Sequence, residues 1–190
     1  MQTIKDAQVF SELEFKRLGT TWEKELERAK KRFLEADTQM DVYYALLSLQ
    51  RTIHDMHSSL TVPSALTPPP QTLSLPFTLG VRGNALESAR YAVVQSAIPE
   101  LKPGFVLKQY NNQTPAQLEY DLSEWLSSTS PENQKLELAN ALTRYTNSSR
   151  YPPPNVNIPV SVVFVDPTSQ KEISVTVRWQ SGAADVPSQD

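Results

Sequence analysis

Cysteine is absent from all 190 residues, which removes disulfides, thiolate zinc sites, iron–sulfur ligation and cysteine nucleophiles at once. That absence leaves the compartment open, because exported bacterial proteins often lack cysteine too. Glycine is scarce, at five residues, and neither G-x-G-x-x-G nor G-x-x-x-x-G-K-[ST] occurs, so no dinucleotide or phosphate cradle is expected. No motif calls for a cofactor. No run of about 18 apolar residues exists, so no membrane span is expected. An excess of either charge is also missing: 18 basic side chains against 21 acidic ones leave a net charge of −3. That balance gives no footprint for nucleic acid or an anionic membrane surface. Met1 to Asp6 are polar and do not read as a secretory signal.

Proline, by contrast, is abundant, at 15 residues, and it divides the chain. Residues 1–57 are proline-free, charged and helical in period. Trp22, Leu26, Ala29 and Phe33 fall at spacings of four, three and four, which predicts a helix over about 21–36. A helix over about 4–18 carries Val9, Phe10 and Leu13. A third, capped by Asp37 or Thr38, runs to about His57 with Val42, Leu46, Leu49, Ile53 and Met56 as its stripe and Tyr43 and Leu47 widening it. Residues 56–81 then contain no Asp, Glu, Lys or Arg and carry five prolines.

Beyond that point the pattern mixes strands and helices. Leu73 to Val81 is strand-like but broken at Pro76. Arg90 to Ala97 and Phe105 to Tyr110 read as strands, with a turn at Asn111-Asn112. Thr114-Pro115 and Ser130-Pro131 open two helices. The first buries Leu118, Leu122 and Trp125 or Leu126; the second turns Leu138, Ala139, Leu142 and Tyr145 inward. Val160, Val162 and Phe164 alternate on one strand, and Ile173, Val175, Val177 and Trp179 on the next. The Asp166-Pro167-Thr168-Ser169 turn makes this pair a hairpin. Trp22, Trp125 and Trp179 read as core anchors, and Lys30-Lys31-Arg32 as a solvated helix face.

Both histidines fall in Ile53-His54-Asp55-Met56-His57-Ser58. On a helix His54 and His57 stand at i and i+3. A metal pair there lacks a third ligand nearby, since no carboxylate lies between Asp55 and Glu87. Two polar residues at a helix C-terminus, where the dipole favours a cation, is the plainer reading. A general base is the other: an imidazole can take a proton from a serine hydroxyl. No G-x-S-x-G elbow supplies that serine.

Tyr44-Ala45-Leu46-Leu47-Ser48-Leu49, followed by Ile53-His54-Asp55-Met56-His57-Ser58-Ser59-Leu60, resembles the close of the helical region of tail-specific (C-terminal processing) serine peptidases. Leu101-Lys102-Pro103-Gly104-Phe105-Val106-Leu107 through Asn111-Asn112-Gln113 is similar to the PDZ string L-k-P-G-D-v-I-x-x-v-N-G. It departs from that string at Phe105 and Gln113. The order of helices, D-x-H, PDZ-like unit and closing hairpin with Arg178-Trp179 most resembles the branch of the chlamydial protease-like activity factor.

The resemblance implies an α+β fold: a helical bundle over 1–60, a proline-rich connector with the first PDZ strand over 61–89, and a PDZ-like small barrel or sandwich with inserted helices over 90–180. A linker or tail follows over 181–190. It implies His57 as the base of a Ser-His-Glu triad, with serine and glutamate in a later catalytic domain that this chain lacks; in the Ser-Lys branch of the family this histidine is not needed. The chain alone is then expected to be inactive. The implied partners are a polypeptide substrate or C-terminal peptide and that catalytic domain, and export is the implied localisation. PDZ domains bind a peptide as an added strand and hold its carboxylate with backbone amides. Leu79, Gly80 and Val81 are the candidate edge, although Gly80 also fits a turn or bulge. The alternative is a stand-alone, non-catalytic peptide-binding or scaffold protein.

Overall fold

A computed structural model describes residues 20–51, 71–83, 88–126, 130–146 and 151–182, with positions 16, 60 and 128. The first expected helix, with Val9, Phe10 and Leu13, lies outside the described residues. The chain forms two compact units, one drawn from Met1–Thr67 and Ser123–Thr129, the other from Pro68–Leu122 and Ser130–Asp190.

In the first unit, helix α1 (Trp22–Leu34) starts where the Thr21 hydroxyl accepts the Lys24 N–H at 3.3 Å. Glu23 and Glu25 occupy its first turn and Lys31 and Arg32 its last, each sign where the helix dipole favours it. Trp22 and Ala29 are buried with Leu49, and Leu26 packs against them. Glu25 is buried beside this stripe, which is tolerable because the Thr20 hydroxyl donates to it at 2.6 Å and Arg28 pairs with it at 3.2 Å. The fourth expected member of the stripe differs: Phe33 is 50% exposed, and the last turn of α1 is open to solvent.

Helix α2 (Gln39–Arg51) is opened by Thr38, not Asp37. The Asp41 N–H reaches the Thr38 hydroxyl at 3.1 Å, while the Asp41 carboxylate accepts the Thr38 N–H at 2.9 Å, a reciprocal box. Its buried face is rotated from the expected one. Tyr43, Tyr44, Leu47 and Leu49 are buried, but Leu46 is 42% exposed. Two adjacent tyrosines have more area to bury than Val42 and Leu46, and the helix turns to cover them.

A 3₁₀ turn at Ser123–Trp125 also belongs to this unit. It sets the Trp125 ring edge-on to Tyr44, with centroids 6.1 Å apart, and under the Arg32 guanidinium at 4.8 Å. The basic run Lys30-Lys31-Arg32 is therefore solvated only in part.

In the second unit Pro76 interrupts the apolar run as expected. Before it, β1 (Thr72–Ser74) lies between β5 (Arg144–Thr146) and β8 (Gln180–Ser181) in a three-stranded antiparallel sheet. After it, β2 (Phe77–Arg82) joins a second antiparallel sheet. That sheet continues with β3 (Arg90–Ser96), β4 (Val106–Tyr110), β6 (Val160–Val165) and β7 (Glu172–Val177), in the order β2-β3-β4-β6-β7. The fold is α+β. Its strands form two sheets with no closed barrel among the described residues.

Helices α3 (Pro115–Leu122) and α4 (Pro131–Ala141) enter between β4 and β5. Thr114 and Ser130 cap them and Pro115 and Pro131 begin them, as the Thr-Pro and Ser-Pro pairs predict. Two expectations are corrected here. Leu118 is buried by α3, but the helix stops at Leu122, so Trp125 and Leu126 are buried by the 3₁₀ turn and its following residue. Tyr145 is buried, but from strand β5 and not from α4. Spacings of four and three fit a helix, yet the β-branched neighbours Thr143 and Thr146 and the pairing offered by β1 take Tyr145 into a strand.

The core of this unit joins Phe77 and Phe164, edge to face at 5.3 Å, with Leu73, Leu75, Val93, Leu138 and Val162 fully buried around it. The β6–β7 hairpin forms with Val160, Val162 and Phe164 buried as expected, but β7 ends at Val177, so Trp179 is buried from beyond the strand and not on it. Asp166 closes it by accepting the Thr168 N–H at 2.9 Å and the Ser169 hydroxyl at 2.7 Å, bonds that hold its carboxyl below the ordinary aspartate range.

Candidate functional site

The PDZ-like string folds as two turns flanking a strand. Lys102-Pro103-Gly104-Phe105 is a type II turn: Gly104 has φ 93° and the Phe105 N–H donates to the Lys102 carbonyl at 3.2 Å. Asn111 and Asn112, with φ of 49° and 64°, make a type I′ turn in which Tyr110 and Gln113 exchange both main-chain bonds. Between them β4 carries a bulge at Lys108, which keeps both Leu107 and Tyr110 on the buried face. Lys108 itself pairs with Glu172.

Leu79, Gly80 and Val81 all lie on β2, at one end of the five-stranded sheet. The pairing fixes which main-chain groups face outward. Val93 exchanges bonds with Gly104 and Phe105 on the β4 side, so Ala92 and Arg90 face β2, where they pair with Gly80 and Arg82. Across the bulge, Thr78 faces Gln95 and the Pro76 carbonyl accepts the Ala97 N–H at 2.8 Å. Phe77, Leu79 and Val81 are left with N–H and C=O groups directed away from β3, and no described strand pairs with them, but Phe77 and Leu79 are buried and only Val81 keeps partial exposure. Helix α4 packs against the same strand.

Gly80 serves this edge differently, since its main-chain groups point inward. A Cβ there would stand 2.7 Å from Cγ2 of Val94, the extra residue of the β3 bulge. The glycine gives Val94 its place on that face.

His57, the candidate base, and His54 lie outside the described residues, past the end of α2 at Arg51. Among the described residues no three histidine, aspartate or glutamate side chains gather in a way that could hold a metal. No described helix is long and apolar enough to cross a membrane.

One cluster escaped the sequence reading. The Tyr91 hydroxyl on β3 donates to Glu119 of α3 at 2.8 Å, Lys135 of α4 pairs with the same carboxylate, and its ammonium lies 5.6 Å from the Tyr91 ring centre. Burial, then the Glu119 hydrogen bond and charge, push the Tyr91 phenol well above its ordinary pKa. The partners lie 28 and 44 positions along the chain, so no local signal marks them.

No protein-family model matches the chain, and no curated protein matches it. Solved structures do. Mature CPAF, the chlamydial protease-like activity factor, complexed with lactacystin is similar at a TM-score of 0.62 and 14% identity, over 92% of this chain and 32% of that chain. Mature CPAF by itself gives 0.61 at 14% identity, with the same coverage. A CPAF mutant gives 0.57 at 14% identity, over 93% of this chain and 32% of that chain. The chain therefore spans about a third of the length of the CPAF chains it matches, and its fold is CPAF-like.

Proposed function

We propose that this chain is the amino-terminal, non-nucleophile part of a serine endopeptidase. The helical unit supplies His57 as general base. The second unit is PDZ-like and handles polypeptide substrate. The serine comes from a C-terminal catalytic domain beyond this sequence. The observation that carries this reading is the CPAF-like fold across 92% of the chain, against 32% of the CPAF chain. The Asp55-x-His57 string and the turns at Pro103-Gly104 and Asn111-Asn112 add to it. In this role the imidazole takes the serine proton as the hydroxyl attacks the scissile carbonyl, then returns it to the leaving amine. Export from the cell belongs to the same reading.

In the full-length gene product assayed on casein, His57→Ala is expected to lower kcat/KM by about 10⁴-fold or more. His54→Ala should leave it nearly unchanged. Equal loss in both variants contradicts the choice of histidine. A second reading, a non-catalytic peptide-binding protein, draws on the PDZ-like turns and strand of the second unit, which need no catalytic domain. Under it both histidines are dispensable for peptide binding.

A further inference from the structure

Independently of the peptidase reading, we infer that strand β7 is a self-association edge: it pairs antiparallel with β7 of a second copy of this chain, about a two-fold axis at Val175. β7 ends the five-stranded sheet on the side opposite β2, and no described strand covers its outer side. Unlike β2, it is open. Glu172, Ser174 and Thr176 are exposed, as is Arg178 just beyond, and Ile173, Val175 and Val177 are only partly buried. The Asn111 N–H donates to the Ser161 carbonyl at 2.7 Å and the Ser161 N–H to Asn111 Oδ1 at 3.0 Å, so Ser161 faces β4. Val160, Val162 and Phe164 therefore face β7, where Val177, Val175 and Ile173 meet them. The Asp166 N–H on the Lys171 carbonyl, at 2.9 Å, keeps the same alternation. Glu172, Ser174 and Thr176 are left with N–H and C=O groups directed outward. The edge carries none of the devices that discourage pairing. Its six residues include no proline and no lysine, and the β6–β7 register runs without a bulge.

The sequence of the edge selects a copy of itself as the occupant. An added strand must bring apolar side chains to the face of Ile173, Val175 and Val177 and polar ones to the other face. In an antiparallel pair centred on Val175, β7 does both. Val175 falls opposite the partner's Val175, and Ile173 opposite the partner's Val177. Ser174 falls opposite the partner's Thr176, where outward groups meet and exchange main-chain bonds. Glu172 falls opposite the partner's Arg178, and the two-fold axis makes that ion pair twice. In the single chain Glu172 pairs with Lys108, while the Arg178 guanidinium donates to the Asn157 carbonyl at 2.8 Å, a neutral acceptor. The second copy gives the Arg178 cation a carboxylate and Glu172 a second cation. A slip of two residues sets Glu172 against Thr176 or Gln180 and loses both ion pairs, so charge fixes the register. A strand this short buries less than the roughly 1,200 Å² of a standard interface, so the dimer is weak and concentration-dependent.

The chain has no cysteine, so one introduced thiol reports only on its own surroundings. Val175→Cys places a thiol at the two-fold axis, where directly opposed residues hold their Cα atoms about 4.5 Å apart, within disulfide reach. Mild oxidation of the 190-residue chain should then give a covalent dimer. Glu132→Cys, exposed on α4, should not crosslink. In sedimentation velocity over a concentration series, Glu172→Arg and Arg178→Glu should each raise the dimer Kd about tenfold. The double variant E172R/R178E restores opposite charges and should return Kd to within about threefold of the original. Thr176→Pro withdraws an outward donor and touches no β6–β7 bond. With its melting temperature retained, it should leave a monomer. Equal crosslinking of the two cysteines, no recovery in the double variant, or an undiminished dimer in Thr176→Pro overturns the inference. A monomer at every concentration overturns it as well. If that monomer binds a synthetic peptide of alternating valine and threonine, the edge belongs to a foreign extended polypeptide and not to a second copy.

Discussion

The Tyr91 hydroxyl is buried beneath the two helices it ties down. Its bond to Glu119, with Lys135 closing on the same carboxylate, links α3 and α4 to strand β3. Tyr91→Phe should cost about 1–2 kcal/mol, the scale of a buried hydrogen bond lost while its partner keeps a cation. The pH profile gives a second readout. Burial raises the folded-state pKa of Tyr91, and of Tyr110, above the unfolded value near 10. Above that value the unfolded chain sheds protons that the folded chain keeps, so stability is whole below about pH 10 and falls as pH rises. Tyr91→Phe removes one such proton, and its stability should decline less steeply above about pH 10 in urea melts. A slope equal to that of the unsubstituted chain contradicts the assignment.

At the scale of elements, the sequence was informative where signals are local. The Thr-Pro and Ser-Pro helix starts, the Asn-Asn turn, the Asp166 hairpin and the break at Pro76 depend on neighbours within four residues, and each stands where expected. It misled where one spacing serves two structures. Leu118, Leu122 and Trp125 have the period of a continuous helix, but the helix ends at Leu122 and the 3₁₀ turn delivers Trp125 to Tyr44 and Arg32 in the helical unit. Tyr145 failed for the same reason. Trp125→Ala should therefore loosen the helical unit by about 3–5 kcal/mol. Hydrogen exchange should register that loss in the amides of α1 and α2 and spare those of β3, β4 and β6. Uniform loss across both units contradicts the placement of Trp125.

For the whole molecule, the sequence pattern was enough to separate a helical first segment from a mixed strand and helix region and to put Leu79 and Val81 on one strand, because alternation and composition run along the chain; the α+β class came with the family resemblance. The strand order was not legible. Whether β2 ends a sheet depends on β3, β4, β6 and β7 pairing over nearly a hundred residues, and on β1 being drawn into a separate sheet with β5 and β8.

The central claim is that these residues are one part of a larger peptidase, and the size of the native polypeptide tests it most directly. Source cells are pulse-labelled, and cell and medium fractions are precipitated with an antibody to this chain. The account predicts that the first labelled species is far heavier than 21.3 kDa, whatever is trimmed later. A species near 21.3 kDa from the earliest labelling, with no heavier precursor, would contradict it and favour the stand-alone peptide-binding protein.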